Sequence, residues 1–382
     1  MNLLFVESSR RSWGSEQHFV ELAIGCQSAG HRVEAVVRAG SDVALSLQHA
    51  GVAVHATPFR GGADPRAMRV VWKTARSLKA DWIVTDHLKH YWPLLLLARA
   101  TGTRLAVFRH MAYIRGWLTR QIFPRLVDRF FVVSRFESER LACDGVCASR
   151  LITLYNPIDL GRFVPDLLAR GQVRAELGLP AEAQLLGFIG RHDASKGVSA
   201  LRLALSRAMD RDPGLHAAWV GEGPEWQATR DWVGAGPHAD RHHFIPWTDC
   251  VQRYHAALDC LVCPSVIAET FGRVLAEAQA CGVPVIARDR GGLPEAFDPG
   301  RSGLLWTDDD PETLAGLILE MLRDRQRRAA MGACGRAFVQ RFSVPVIVAE
   351  FERLLLGGKQ GQPGASVYHD GVAATEPNHA RI

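Results

Sequence analysis

The sequence has no apolar run of the ~18–20 residues that a helical membrane span requires; its longest candidate, Tyr91 to Ala98, is far too short. The amino terminus, Met1-Asn2-Leu3-Leu4-Phe5-Val6-Glu7, lacks a basic leading segment and meets a charge at once. It reads as a first strand and not as a signal peptide, so a cytoplasmic location is expected. Cysteine is sparse, eight in 382 residues. Cys143 and Cys147 form one close pair and Cys260 and Cys263 another, but Cys260-Leu261-Val262-Cys263 is an apolar, strand-like run. Buried free thiols in a reducing compartment suit this pattern better than a zinc site. No internal repeat is visible. Nor is there a Gly-x-Gly-x-x-Gly turn after the first strand, where the chain continues Glu7-Ser8-Ser9-Arg10-Arg11-Ser12-Trp13. That argues against a nicotinamide dehydrogenase.

What is present is a soluble globular composition, 47% hydrophobic and 22% charged. The length suits two α/β domains better than one core. Residues 1–165 carry 22 Lys and Arg against 13 Asp and Glu, a surplus of +9; the remainder carries 23 against 27, or −4. A basic first half suits an anionic acceptor or an anionic membrane surface, and equally an ordinary solvated face. No nucleic-acid partner is expected.

Short apolar runs alternate with amphipathic ones. Strands are predicted at 3–6, 32–37, 52–55, 82–85, 104–108, 129–133 and 151–155, with helices between most of them, such as 16–29 and 66–79. Asn156 to Leu179, with Pro157, Pro165, Gly171 and Gly178, breaks the pattern and reads as a linker. A second series follows, with strands at 185–189, 216–220, 243–245, 260–263, 284–287 and 303–306, then helices at 311–324, 325–341 and 344–356. The tail from Gly357 to Ile382, rich in glycine, proline and small polar residues, is expected to be disordered. Strands alternating with helices predict two doubly wound parallel sheets, 1–165 and 166–343, facing a cleft beyond the carboxyl ends of their strands.

The strongest local signal is Pro264 to Ala278. An apolar strand precedes it, Thr270 and Gly272 can open a helix, and Gly282 closes it. Free backbone amides at such a helix start attract a diphosphate. Glu277, two turns in, could accept hydrogen bonds from vicinal ribose hydroxyls; Glu269, in the preceding loop, could hold the hydroxyls of a donor sugar. Glu312 and Glu320 have the same spacing but lie along a surface-type helix, where solvated carboxylates are expected. A second signal is Gly190-Arg191-His192-Asp193-Ala194-Ser195-Lys196-Gly197, where Arg191 and Lys196 can converge on a diphosphate and offset the charge of a departing nucleotide. Gly221-Glu222-Gly223 again follows a strand, and its glycines let a ligand approach the backbone. In the first half, Gly14 joins the first strand to the first helix, and His110 stands at a strand's carboxyl end; both are candidates to face the reaction centre.

Together these segments resemble glycosyltransferase family 4, retaining enzymes of the GT-B fold, from Met1 to about Arg353. The family's Glu-x7-Glu segment, followed by Ala-x-Ala-x-Gly-x-Pro-Val, corresponds to Glu269 through Val285, and Gly291-Gly292-Leu293-Pro294-Glu295 continues it. Gly190, Arg191, Lys196 and Gly197 match its phosphate-binding pairs, Tyr155-Asn156-Pro157-Ile158-Asp159 its linker, and Val133-Ser134 its Val-Ser turn. The resemblance implies a donor diphosphate on Arg191 and Lys196. It implies phosphate and sugar hydroxyls on the amides of Phe271, Gly272 and Arg273, with Val274 in the same helix start. Ribose would go to Glu277, the transferred sugar to Glu269, and His110 would sit beside that sugar. Retention in this family is described as front-face attack, with the acceptor deprotonated by the donor's own phosphate, so no dedicated base is required. A UDP-sugar donor and a glycan or lipid-linked acceptor of lipopolysaccharide or cell-envelope type are implied, without a metal or other cofactor. Asp308-Asp309-Asp310 precedes a Pro-Glu helix start and is read as a cap, not as a metal ligand. Two positions depart from the family: Trp13-Gly14 replaces a Gly-Gly pair, and Pro157 replaces a glycine, which should stiffen the hinge. A bulky Trp13 would reshape the acceptor side or shield the donor.

Other readings are a GT-B epimerase or phosphorylase and a non-catalytic, glycosyltransferase-like subunit. The first needs acids and bases poised over the sugar ring that the sequence does not display; the second should have lost Arg191, Lys196, Glu269 and Glu277. Phe108–Leu126, which mixes Arg109, Arg115, Arg120 and Arg125 with Tyr113, Trp117, Ile122 and Phe123, suits a peripheral contact with the inner face of the cytoplasmic membrane. It suits a half-buried basic helix as well.

Overall fold

A computed structural model of the chain describes residues 1–11 and 14–357. The expectations for Trp13 and for the tail beyond Gly357 lie outside the described residues. Strands β1 (Asn2–Glu7), β2 (Arg32–Arg38), β3 (Ala53–Thr57), β4 (Trp82–Thr85), β5 (Arg104–Arg109), β6 (Arg129–Val132) and β7 (Leu151–Thr153) form one sheet, in the order β3-β2-β1-β4-β5-β6-β7. Strands β8 (Gln184–Ile189), β9 (Leu215–Val220), β10 (His242–Ile245), β11 (Cys260–Cys263), β12 (Val285–Arg288) and β13 (Gly303–Trp306) form the other, in the order β10-β9-β8-β11-β12-β13. All neighbours run parallel, with Leu3 opposite Val33 and Cys260 opposite Leu186.

Strands in such sheets are covered on both faces, and their sequences are apolar without interruption. Leu3, Leu4, Phe5 and Val6 are all fully buried. The two-residue period divides them: Leu4 and Val6 join Tyr91, Phe123 and Phe130 on one face, while Leu3 and Phe5 join Phe108, Phe131 and Phe351 on the other. That second cluster runs without a break into the second sheet through Tyr155, Phe271 and Phe342. The Tyr155 ring lies 5.6 Å from Phe271 and 5.2 Å from Phe342. The helix Val344–Leu356 packs back on the first helix, Gly14–Ser28. Gly25 permits the contact, since a β-carbon there would come within 2.4 Å of Val344 Cγ1.

The predicted linker is only partly a linker. Leu167–Glu176 is a helix, capped where Asp166 accepts from the Ala169 amide and ended by Gly178 in the left-handed region at φ 64°. A local N-cap and a glycine past the last turn make a helix where scattered prolines and glycines suggest coil. The predicted helix 325–341 is α-helical over Arg325–Phe338 and tightens to a 3-10 turn over Val339–Phe342. All eight cysteines are free; Cys26, Cys260, Cys263 and Cys281 are buried, whereas Cys143 and Cys250 are exposed. Asp310 caps the Pro311–Arg323 helix by accepting from the Glu312 amide, and Asp308 accepts from Trp306 Nε1. Within Phe108–Leu126, Arg109 ends β5 as a buried residue and Phe123 stacks on Tyr91, so neither faces solvent as an interfacial residue would. No helix of the described residues is long and apolar enough to cross a membrane.

Candidate active site

Strand order reverses between β1 and β4 in the first sheet and between β8 and β11 in the second. Crevices open at the carboxyl ends of strands at such reversals. β8 and β11 are hydrogen-bonded neighbours, so the loops leaving them, 190–197 and 264–272, necessarily meet. Gly197, at φ 73°, passes so close under Pro264 that a β-carbon would lie 2.0 Å from its carbonyl oxygen. The Val266 amide donates to the Ser195 carbonyl at 2.8 Å. Lys196 Nζ lies 2.9 Å from Glu269 Oε1, and the Ser265 hydroxyl donates to the same oxygen. Burial alone would lower the Lys196 pKa; the Glu269 carboxylate overrides it and holds the ammonium above its ordinary value. On the far side, the Gly292 amide donates to the Glu269 carbonyl at 2.7 Å, and a β-carbon at Gly292 would meet the Thr270 carbonyl at 2.1 Å. The Gly291-Gly292 pair therefore clamps the Glu269 loop.

Arg273–Ala280 is the helix that follows, entered through Gly272 at φ 86° with no side chain of the described residues capping its start. The Phe271, Gly272, Arg273 and Val274 backbone thus forms an uncapped, electropositive end facing the crevice. Further in, Glu277 is buried, 3.4 Å from Arg273 Nη2 and 3.6 Å from His255 Nε2. Burial would raise its pKa, but His255 and Arg273 hold it below the usual carboxylate value. Gly221, at φ 118°, sits where a β-carbon would be 2.2 Å from the Gly190 carbonyl, which brings the β9 turn against the β8 turn.

The opposite wall comes from the first sheet. Thr270 Oγ1 donates to the His110 carbonyl at 3.3 Å. The His110 ring is 4.8 Å from that of His18, and its Nε2 is buried without a hydrogen-bond partner among the described residues. Burial, with His18, Arg109 and Arg273 nearby, holds His110 well below the ordinary histidine pKa, so it is a neutral imidazole. Gly14 rests on Arg273, where an added β-carbon would be 3.7 Å from Cδ.

The structure therefore brings together Lys196, Glu269, the helix start, Glu277, His110 and Gly14. Arg191 is the exception: its guanidinium turns onto Asp193 and its side chain is 52% exposed. Glu312 and Glu320 pair with surface arginines, Arg211 and Arg327, far along the chain from the crevice loops.

Several contacts of this region escaped the sequence reading. Glu295 accepts from the Arg135 and Phe136 amides at 2.9 and 2.8 Å and from the Tyr155 hydroxyl at 2.7 Å, joining the two sheets' units. His18 Nδ1 donates to Asn156 Oδ1 at 2.9 Å; burial pushes its pKa down to about 3. Glu7 and Asp86 stand side by side at the ends of β1 and β4; burial and the Glu7 charge push Asp86 well above the usual carboxyl range. Only the four-residue interval between Arg273 and Glu277 was a local signal, because it puts both on one helix face. The other partners are far apart in sequence.

Two family models match the chain: Glycosyltransferase Family 4 over residues 14–162 and Glycosyl transferases group 1 over residues 170–338. The chain is 35% identical to a D-inositol 3-phosphate glycosyltransferase of Segniliparus rotundus, covering 73% of this chain and 65% of that protein. It is 30% identical to a GDP-mannose-dependent alpha-(1-6)-phosphatidylinositol monomannoside mannosyltransferase of Mycolicibacterium smegmatis, covering 64% of this chain and 68% of that one. The chain spans 49% to 65% of the length of the D-inositol 3-phosphate glycosyltransferases it matches. Among solved structures, Anabaena Alr3699/HepE in complex with UDP and glucose superposes with a TM-score of 0.81 at 22% identity, covering 93% of this chain and 99% of that one. That likeness concerns the fold, which is GT-B.

Proposed function

Because the chain belongs to the family 4 and group 1 glycosyltransferases, we propose that it is a retaining enzyme moving a hexose or N-acetylhexosamine from a nucleotide sugar to a glycan or lipid-linked acceptor of the cell envelope. Residues 166–343 hold the donor, residues 1–165 present the acceptor, and residues 344–356 cross back. The observation that carries this reading is the Lys196–Glu269 pair at 2.9 Å beside an uncapped helix start, opposite His110. The diphosphate takes the helix-start amides of Phe271 to Val274 and Lys196, Arg191 swings from Asp193 to join them, and Gly14 and Gly221 leave room for it. Glu269 accepts hydrogen bonds from the sugar hydroxyls and Glu277 from the ribose. Neutral His110 sits beside the transferred sugar without repelling the cationic character that develops there.

The acceptor oxygen then bonds to the anomeric carbon on the face from which the phosphate leaves. The carbon–oxygen bond to phosphate breaks, and the acceptor proton passes to a phosphate oxygen. Lys196 and the helix dipole stabilise the charge on the departing diphosphate. No step is assigned to a metal at Asp308-Asp309-Asp310, whose carboxylates serve Trp306, Arg288 and the Glu312 amide.

UDP is the first nucleotide to test; the mannosyltransferase named above makes GDP the second. In a thermal-shift screen of UDP-, GDP- and ADP-sugars, a UDP-sugar is expected to raise the melting temperature and to be hydrolysed slowly without acceptor. Stabilisation by GDP-sugars alone would move the donor assignment, and stabilisation by none would defeat the transferase reading.

The acceptor side carries Tyr113, Trp117, Leu118 and Leu126 as exposed apolar side chains, Trp117 at 62%, among exposed Arg115 and Arg125. That mixture supports docking to an anionic membrane that holds a lipid-linked acceptor. The protein is expected to sediment with phosphatidylglycerol vesicles and not with phosphatidylcholine ones, and Trp117→Ser to bind several-fold less. Equal binding to both vesicle types would count against the membrane contact.

A further inference from the structure

Arg273 does more in this structure than lend its amide to a helix start. Its guanidinium, in a residue 9% exposed, lies between carboxylates from opposite walls of the crevice. Nη2 donates to both carboxylate oxygens of Glu21, at 2.9 and 3.0 Å, in the Gly14–Ser28 helix of the first unit. The same nitrogen lies 3.4 Å from Glu277 Oε1, while Nη1 donates to the Pro157 carbonyl at 2.8 Å in the connection between the units. Glu277 Oε2 is left facing His255 at 3.6 Å.

A carboxyl group as buried as Glu277 would take up a proton without a cation beside it. Protonated, it keeps reduced accepting capacity; ionised, it is acceptor-only and can receive two hydroxyls. With His255 3.6 Å away also favouring the ionised form, Arg273 supplies that cation from the same helix face, and Glu21 and Pro157 fix where the guanidinium points. Glu21 shows the strain of sharing: burial, together with Glu277 on the same guanidinium, pushes its pKa up to about 7 in spite of Arg273.

We propose that Arg273 is a positioning residue for the donor ribose. It holds Glu277 ready to accept the two ribose hydroxyls when Glu21 of the opposite wall is seated on it. Ribose recognition and closure of the crevice then become one event. Without Glu21 the guanidinium loses its anchor and Glu277 its orientation. This rests on Glu277 being the ribose ligand, as proposed above.

The test compares UDP with 2′-deoxy-UDP (or GDP with 2′-deoxy-GDP, should the donor screen select it) by titration calorimetry on the full chain. The wild type should prefer the ribonucleotide by about tenfold or more, the range for losing a hydrogen bond to a charged group. Arg273→Met should lose most of that preference and still bind the diphosphate. Arg273→Lys, which keeps the charge without the fork, should fall between. Glu21→Gln should reduce the preference and lower kcat in transfer, although it touches no donor atom. If Arg273→Met does not fold, the lysine and glutamine variants carry the test. Wild-type ribose preference in both would overturn the proposal. A wild type with no preference at all would instead remove the Glu277 assignment on which it rests, and the proposal with it.

Discussion

Glu269→Ala should reduce sugar transfer by about a thousandfold, equivalent to roughly 4 kcal/mol of transition-state stabilisation, with the fold preserved. Two losses combine. The carboxylate pairs with Lys196 at the crevice, 2.9 Å away, so its removal leaves a mostly buried ammonium without this counter-ion. On the proposed assignment it also removes the acceptor for the sugar hydroxyls, and with it the alignment of the anomeric carbon; small misplacements of a reacting centre are costly. The fold should survive because the loop is held from the backbone, by Gly292 N–H to the Glu269 carbonyl and by Val266 N–H to the Ser195 carbonyl. Neither bond uses the carboxylate. Steady-state transfer and donor hydrolysis, alongside a melting curve, measure this. Glu269→Gln separates charge from shape and should recover only part of the loss. An alanine variant within tenfold of wild type would show that Glu269 does not hold the transferred sugar.

Lys196→Ala should act mainly on donor binding, raising the Kd for the nucleotide sugar by about 10- to 100-fold, the range for a hydrogen bond to a charged group. The effect on kcat should be smaller. Lys196 is engaged by Glu269, and the carboxylate holds its ammonium above the ordinary lysine pKa. In the proposed site, donor binding divides that ion pair: the diphosphate draws the ammonium while sugar hydroxyls take the carboxylate. Part of the phosphate's attraction is spent separating the pair, so the single variants should not add. Lys196→Ala/Glu269→Ala should lose clearly less than the two single losses combined. Full additivity in transfer rate would mean that the two residues act at separate places. An unchanged Kd in Lys196→Ala would remove the diphosphate from this loop.

The extent to which the site was legible varied with the kind of contact involved. Lys196, Glu269, Gly272 and Glu277 were visible because they belong to two short segments, each placed by a strand that ends beside the crevice. Even the loop contacts follow from topology, since adjacent parallel strands send their loops to the same end. The helix Leu167–Glu176 was hidden by the prolines and glycines around it, although Asp166 and Gly178 were there as its cap and stop. Arg273 was read for its amide alone, because its partners Glu21 and Pro157 lie 252 and 116 residues away. Glu295 looked like one letter of a motif; its carboxylate in fact closes on the Arg135 and Phe136 amides and the Tyr155 hydroxyl.

By itself, the sequence determined the two sheets, their strand directions and the segments proposed to hold the donor, since hydrophobic period, turn residues and helix starts are local properties carried by consecutive residues. Only the tertiary structure decided which wall answers which: Arg273 to Glu21, Glu295 to Tyr155, Thr270 to His110, and Arg191 turned aside onto Asp193. Apart from Arg191 and Asp193, which are two residues apart in one loop, these are ion pairs and hydrogen bonds between groups distant along the chain. Their existence depends on how two separately built units seat against each other, and no local pattern encodes that.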